Sequence, residues 1–111
     1  MIAQLTGTVV SLGPNWVVLD VLGVGYRLTC TPTTAAALRP ADSSTLFTTL
    51  ILRQDSLAMY GFGTVVERET FELLQLASGV GPRLALAIVS VLSPSQVVQA
   101  IRSQDVATLV K

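Results

Sequence analysis

The chain contains no histidine, and its only cysteine is Cys30. A zinc site or a histidine-based nucleophilic triad therefore lacks its ligands and its base. An internal disulfide is excluded as well, and one unpaired cysteine fits a reducing, cytoplasmic setting. Cys30 shares its phase with Tyr26 and Leu28, so it reads as a core residue and not as a nucleophile. Charge is also scarce. Only 13% of residues are charged, seven basic against seven acidic, for a net charge of zero. The balance holds within each half. Arg27, Arg39 and Arg53 face Asp20, Asp42 and Asp55 up to residue 62, and Arg68, Arg83, Arg102 and Lys111 face Glu67, Glu69, Glu72 and Asp105 beyond it. A neutral chain is a poor candidate for nucleic acid at first sight. Any DNA surface must come from local segregation of charge, from backbone N–H groups, or from repetition in an oligomer. No apolar run approaches the ~18–20 residues of a membrane span, no basic-then-apolar leader opens the chain, and no Walker motif is present. These absences leave no cofactor, no metal and no catalytic constellation to expect.

What the chain does have is apolar content. Half of its 111 residues are hydrophobic, enough for a packed core in one domain or two very small ones. Up to residue 62 the pattern is that of β-structure. Ile2 to Leu12 reads as a long strand with Gly7 as a bend or bulge. Gly13-Pro14-Asn15 is a turn, Trp16 to Val21 a second strand, and Leu22-Gly23-Val24-Gly25 another turn. Tyr26 to Thr31 alternates cleanly as a third strand. Pro32 to Leu38 is a short helix that Thr31 or Thr33 can cap. After a loop at Pro40 to Ser44, Thr45 to Leu52 and Leu57 to Phe62 form two more strands around the polar tip Arg53-Gln54-Asp55-Ser56. Five strands with a helix between the third and fourth is the order of an OB-fold barrel.

At Gly61-Phe62-Gly63 the period changes to helical. Thr64-x-x-Glu67 reads as a capping box for a helix to Ala77, with Phe71, Leu74 and Leu76 apolar. Pro82 to about Leu92 is a second helix. Ser93-Pro94-Ser95-Gln96 caps a third, carrying Val97, Val98 and Ile101. Ser103 or Asp105 opens a last short helix towards Leu109-Val110-Lys111. The fold class is thus α+β, a barrel domain over 1–62 and a small helical domain over 63–111.

The stretch that organises the chain is Ser78-Gly79-Val80-Gly81-Pro82-Arg83. Two glycines around one apolar residue allow a tight turn and close backbone approach, and Pro82 suits the first helical position. The free N–H groups at the start of the second helix then form a positive dipole end that no side chain at Gly79 or Gly81 shields. A phosphate is the anion such an end accepts, with Arg83 beside it as a charged donor. The same pattern also suits a bare corner between two helices, so the motif alone leaves both readings open.

The company it keeps narrows the choice. Gly23-Val24-Gly25-Tyr26, Arg53-Gln54-Asp55 before Tyr60-Gly61-Phe62, Glu67-Arg68-x-x-Phe71, and above all Gly79-Val80-Gly81-Pro82-Arg83-Leu84-Ala85-Leu86-Ala87 give a chain that resembles the RuvA family of bacterial Holliday-junction-binding proteins along its whole length. Met1-Ile2 and Leu109-Val110-Lys111 match at the two ends. The resemblance implies a non-catalytic, structure-specific binder of four-way junction DNA in recombination and repair. It implies a homotetramer, one or two per junction, that holds the junction open for branch migration by the hexameric ATPase RuvB, with the resolvase RuvC as a further partner. By the same resemblance Gly79, Val80, Gly81 and Arg83 bind DNA phosphate. Gln54 and Asp55, next to Arg53, occupy the pin at the junction centre, where the family carries two adjacent acids. Here Gln54 replaces one of them, so the central negative charge is about halved. The family also has a second hairpin after a Leu-Val-Lys and a C-terminal domain that docks RuvB. Neither is expected within these 111 residues.

Two other functions compete. A glycosylase would place a catalytic Asp downstream of the hairpin, where Asp105 stands, but no catalytic Lys accompanies it and the chain is small to enclose a flipped base. A single-strand-binding module needs exposed aromatics on its sheet. Trp16, Tyr26, Phe47, Tyr60, Phe62 and Phe71 are the whole supply, mostly in apolar phase. Without the resemblance, Asp55 is an ordinary turn acid.

Overall fold

The computed structural model describes residues 1–103, in two units, Met1–Val65 and Val66–Lys111. The division falls three residues beyond the strand that ends at Phe62. The expected last helix, with Asp105 and Leu109-Val110-Lys111, lies outside the described residues.

The first unit is a closed five-stranded barrel. Its strands are β1 (Gln4–Leu12), β2 (Trp16–Val21), β3 (Val24–Thr29), β4 (Ser43–Arg53) and β5 (Ser56–Phe62), with the helix α1 (Pro32–Ala36) between β3 and β4. The order around the barrel is β1-β2-β3-β5-β4, and β4 returns to β1. All pairings are antiparallel except β3 with β5, which run parallel with Thr29 beside Tyr60. This is the OB-fold arrangement, with the β3–β5 closure made through a single pair.

The alternation of the strands builds the core. Val9, Val17, Leu19, Leu28, Cys30 and Leu46 are buried together with Ala35 of α1, while Tyr26 and Met59 pack against them half-buried. Burial pushes the Cys30 thiol up to about 11, because the low-dielectric core disfavours its thiolate. Cys30 therefore remains a protonated packing residue at neutral pH. Thr48 is the buried polar exception on β4. Its hydroxyl donates to the Ile2 carbonyl at 2.7 Å, tying the N-terminal segment to the barrel.

Several boundaries differ from the expected ones. The third strand begins at Val24 and not at Tyr26, because only Leu22 and Gly23 form the turn. Both have positive φ, 54° and 91°. Val21 pairs with Val24 on either side of them. Such a two-residue loop matches the twist of its strands, and the Asp20 carboxylate accepts a 2.8 Å bond from the Gly23 N–H to brace it. Leu22 is fully exposed there, in a backbone region that costs a residue with a side chain about 1–2 kcal/mol.

The ladder irregularity in β1 falls between Val9 and Ser11, at Val10, not at Gly7. Gly7 serves a different need. A Cβ there would lie 2.5 Å from the Asp20 carbonyl oxygen, so its absence lets β2 pass close by. Of the two candidate caps for α1, Thr31 is the one used. Its hydroxyl accepts from the Thr34 N–H at 3.2 Å.

The second unit holds α2 (Val65–Ala77), α3 (Pro82–Val91) and α4 (Pro94–Arg102). The helices bury Phe71 and Leu74, Ala85 and Ile88, and Val97 and Ala100. Leu76, expected on the apolar face, is exposed instead. It falls two residues past Leu74, about 200° around the helix, and so points away from that face. The cap of α4 forms as its sequence predicts. Ser93 accepts from the Gln96 N–H, and the Gln96 side chain accepts from the Ser93 N–H at 2.8 Å. No single helix among the described residues is long and apolar enough to cross a membrane.

Candidate nucleic-acid interface

The hairpin between α2 and α3 is built by two different uses of glycine. Gly79 has φ 70°, a left-handed conformation that ends α2 and that other residues adopt only under strain. The Ser78 hydroxyl closes the same end by donating to the Leu74 carbonyl at 2.6 Å. Gly81 is another matter. Its φ of −74° and ψ of 171° are open to any residue, and a Cβ on it would meet nothing within 4 Å. Neither backbone strain nor packing against the described residues requires a glycine there.

Gly81 caps α3 without any side-chain hydrogen bond, and Pro82 follows at the first helical position. The first helical bond is donated by the Ala85 N–H to the Gly81 carbonyl at 2.9 Å. The N–H groups of Arg83 and Leu84 precede that bond and stand at the positive end of the helix dipole. Arg83 is exposed and is the only charged residue of α3. A cation at a helix N-terminus opposes the dipole and costs a few tenths to 1 kcal/mol. No hydrogen bond or ion pair of Arg83 with another described residue offsets that cost. The cap without a side chain, the glycine and the exposed cation thus meet in one turn. Gly79, Gly81 and Arg83 are exposed and Val80 is half-buried.

Arg53, Gln54 and Asp55 stand at the other expected site. Arg53 and Ser56 form the last pair of the β4–β5 ladder. Gln54 and Asp55 are the two residues of the loop, and the whole tip from Leu52 to Leu57 is exposed. The two groups of residues belong to different units, Arg53, Gln54 and Asp55 to the barrel and Gly79 to Arg83 to the helices.

The aromatic residues do not make a stacking platform. Tyr60, Phe62 and Phe71 are buried, and Trp16, Tyr26 and Phe47 are half-buried. The Arg27 guanidinium lies 4.5 Å from the centre of the Trp16 ring and covers one face of it. This cation–π pair was not predicted, although an Arg two places from the cross-strand partner of a Trp is a readable signal. Among the described residues, no group of three or more His, Cys, Asp and Glu side chains could hold a metal ion.

The chain is thus a closed OB-type barrel followed by helices, two of them joined through a glycine hairpin. The comparisons with known proteins name the family. The model of the RuvA N-terminal domain matches residues 1–61, and the chain belongs to that family. It is 50% identical to the Holliday junction branch migration complex subunit RuvA of Cutibacterium acnes over 98% of its length, and 50% identical to that of Thermobifida fusca over its whole length. The same subunit of Corynebacterium efficiens is also 50% identical, over 98% of the chain. These matches cover 54%, 55% and 53% of the respective relatives, so the chain spans about half the length of the curated relatives it matches.

Proposed function

We propose that this chain binds four-way junction DNA and holds it open, as the non-catalytic DNA-gripping part of a branch-migration subunit. The observation that carries the reading is the α3 N-terminus, where nothing among the described residues requires Gly81 to be a glycine and Arg83 opposes its own helix dipole. A DNA phosphate supplies the missing charge, accepts from the free N–H groups, and needs the space that a side chain at Gly81 would fill. The relatives' name, a branch migration complex subunit, supports the junction as the particular substrate.

One phosphate contact on a chain of zero net charge cannot select a junction by itself. Repetition around a symmetric oligomer turns weak contacts into avidity when the spacing matches the arms. A homotetramer, one or two per junction, is therefore the assembly proposed. Strand movement requires an ATPase of the RuvB kind, reached through a part of the protein beyond these residues, and a RuvC-type resolvase is a further partner of the same junction. The cytoplasm is the compartment where all of these meet.

Band-shift titrations with four-way junction, duplex and single strand test the reading. The wild type is expected to prefer the junction. Arg83→Ala is expected to weaken binding to every sequence alike and to reduce the magnitude of the salt slope by about one for each phosphate no longer neutralised. A loss that depends on sequence would mean base readout at the hairpin and would overturn the phosphate model.

A further inference from the structure

Trp16 and Arg27 stand on the outward face of β2 and β3. Val17, Leu19 and Leu28, the alternate residues of the same strands, are buried in the barrel core. Arg27 pairs with Val18 across the ladder and Trp16 pairs with Thr29, so ring and guanidinium meet on the diagonal. Arg27 is exposed, and Trp16, Val18 and Thr29 are half-buried. Gly25, the next residue of that face, has no side chain.

The turn before β2 is shaped to seat the ring. A Cβ on Gly13 would overlap the indole at Nε1, Cε2 and Cδ1, so only a glycine leaves the ring its place. The Gly13 N–H donates to the Trp16 carbonyl at 2.9 Å, and the Cys30 N–H donates to the Asn15 carbonyl at 2.9 Å, which ties the turn to the end of β3. The ring in turn holds the Arg27 guanidinium 4.5 Å from its centre. Arg27 has no ion pair or hydrogen bond with another described residue. Asp20, on the same face, accepts from the Gly23 N–H instead.

A flat cation laid on a ring keeps its second face and its N–H edge open. An acidic side chain would meet the charge and leave the plane unused. An unpaired nucleotide uses both, with its base on the plane and its phosphate at the edge. In a duplex both faces of each base are already stacked, so the same chemistry selects a single strand. Strands 2 and 3 are also where OB folds as a class take oligonucleotides. Trp16 alone makes no platform for a run of bases, and the pair offers one place only. We propose that Arg27, held over Trp16 on the β2–β3 face, binds one unpaired nucleotide of single-stranded DNA by stacking its base on the guanidinium. The site belongs to the barrel unit and depends neither on the α3 hairpin nor on preference for a junction.

Trp16 is the only tryptophan of the chain, so its indole N–H gives a single magnetic-resonance signal that reports on this place. The test titrates the chain at low salt with an oligothymidylate of about twelve nucleotides, within the site size of one OB fold, and with a duplex of the same length. The single strand is expected to shift the indole signal and the Arg27 Nε–H signal saturably, and the duplex to leave both in place. Arg27→Lys keeps the charge and loses the plane, and is expected to weaken the strand's affinity, read from the indole signal, by about fivefold or more, the worth of one stacked base. Arg83→Ala is expected to leave the indole response as it is. No shift with the single strand would overturn the site, and so would an equal shift with duplex. Arg27→Lys binding as the wild type does would reduce the contact to charge and overturn the stack. Loss of the response in Arg83→Ala would place the strand at the hairpin instead. An indole signal that moves with protein concentration before any DNA is added would mean that a second copy covers the face, and would overturn the site as well. A chain that shows the response without preferring the junction would contradict the proposed function and leave this site standing.

Discussion

Gly81→Asp is expected to make the chain more stable and its hold on DNA weaker. The two effects have opposite signs because they have different causes. At an N-cap, Asp in place of Gly gains a few tenths of a kcal/mol by accepting from the free N–H groups of the first turn. Its charge adds about 0.3–1 kcal/mol against the dipole. The backbone at Gly81 is already extended and the space around it is empty of described residues, so none of them resists the side chain. The same carboxylate occupies the place proposed for a DNA phosphate. Two like charges about 4 Å apart repel by roughly 1–4 kcal/mol between bulk water and a protein surface, so junction affinity should fall at least tenfold. Urea denaturation and a junction titration on one preparation check both signs. A variant that is less stable would show that the fold needs the glycine. A variant that binds as before would show that the hairpin is only a corner between helices. Gly79 offers no such separation, because its φ of 70° makes any substitution costly to the fold itself.

The second large effect is expected at the pin. Asp55 stands exposed in the two-residue loop between β4 and β5. If copies of the chain bring their loops together at the junction centre, their carboxylates repel phosphate there and guide the arms outward to the hairpins. The same charge disfavours an ordinary duplex laid across the face, so it sets preference by repulsion. Asp55→Asn should raise duplex affinity severalfold and lower the junction-to-duplex ratio, most clearly at low salt, where screening is weakest. Gln54→Glu should move both quantities the other way. Affinities for both substrates at two salt concentrations decide the matter. An unchanged ratio at low salt for Asp55→Asn would leave Asp55 an ordinary turn residue.

How much of this could be read from the sequence depends on how local the cause is. The capping box at Ser93 and Gln96 spans four residues and forms as its sequence predicts. Strand β2 keeps the expected bounds, because turns with unambiguous residues flank it on both sides. The hairpin at Gly79–Arg83 is legible for the same reason. The errors lie where one residue type serves two purposes. Gly23-Val24-Gly25 reads as a continuous turn, yet Val24 and Gly25 are already in strand, paired with Val21 and Asp20. Gly7 reads as a bulge, while its true constraint is the approach of Asp20, thirteen residues away along the chain.

Other features are invisible in the sequence because they are set between strands. The parallel pairing of β3 with β5, through Thr29 and Tyr60, is one of them. No local pattern announces it. The exposure of Leu52 and Leu57 is hidden for a related reason, since both continue a good strand pattern and only the length of the barrel leaves them outside. At the candidate site, the sequence points to Gly79, Val80, Gly81 and Arg83. The structure adds the distinction between the two glycines, one demanded by backbone geometry and the other not.

Backbone amide shifts during a titration with unlabelled four-way junction test the central claim most directly, because the proposed phosphate contact is made by N–H groups. At low salt, the amides of Gly79, Val80, Gly81 and Arg83 are expected to move most within the helical unit (Pro82 has none), and the shifts should fade together as salt is raised. Shifts confined to the barrel, with those four amides unmoved at saturation, would contradict the account.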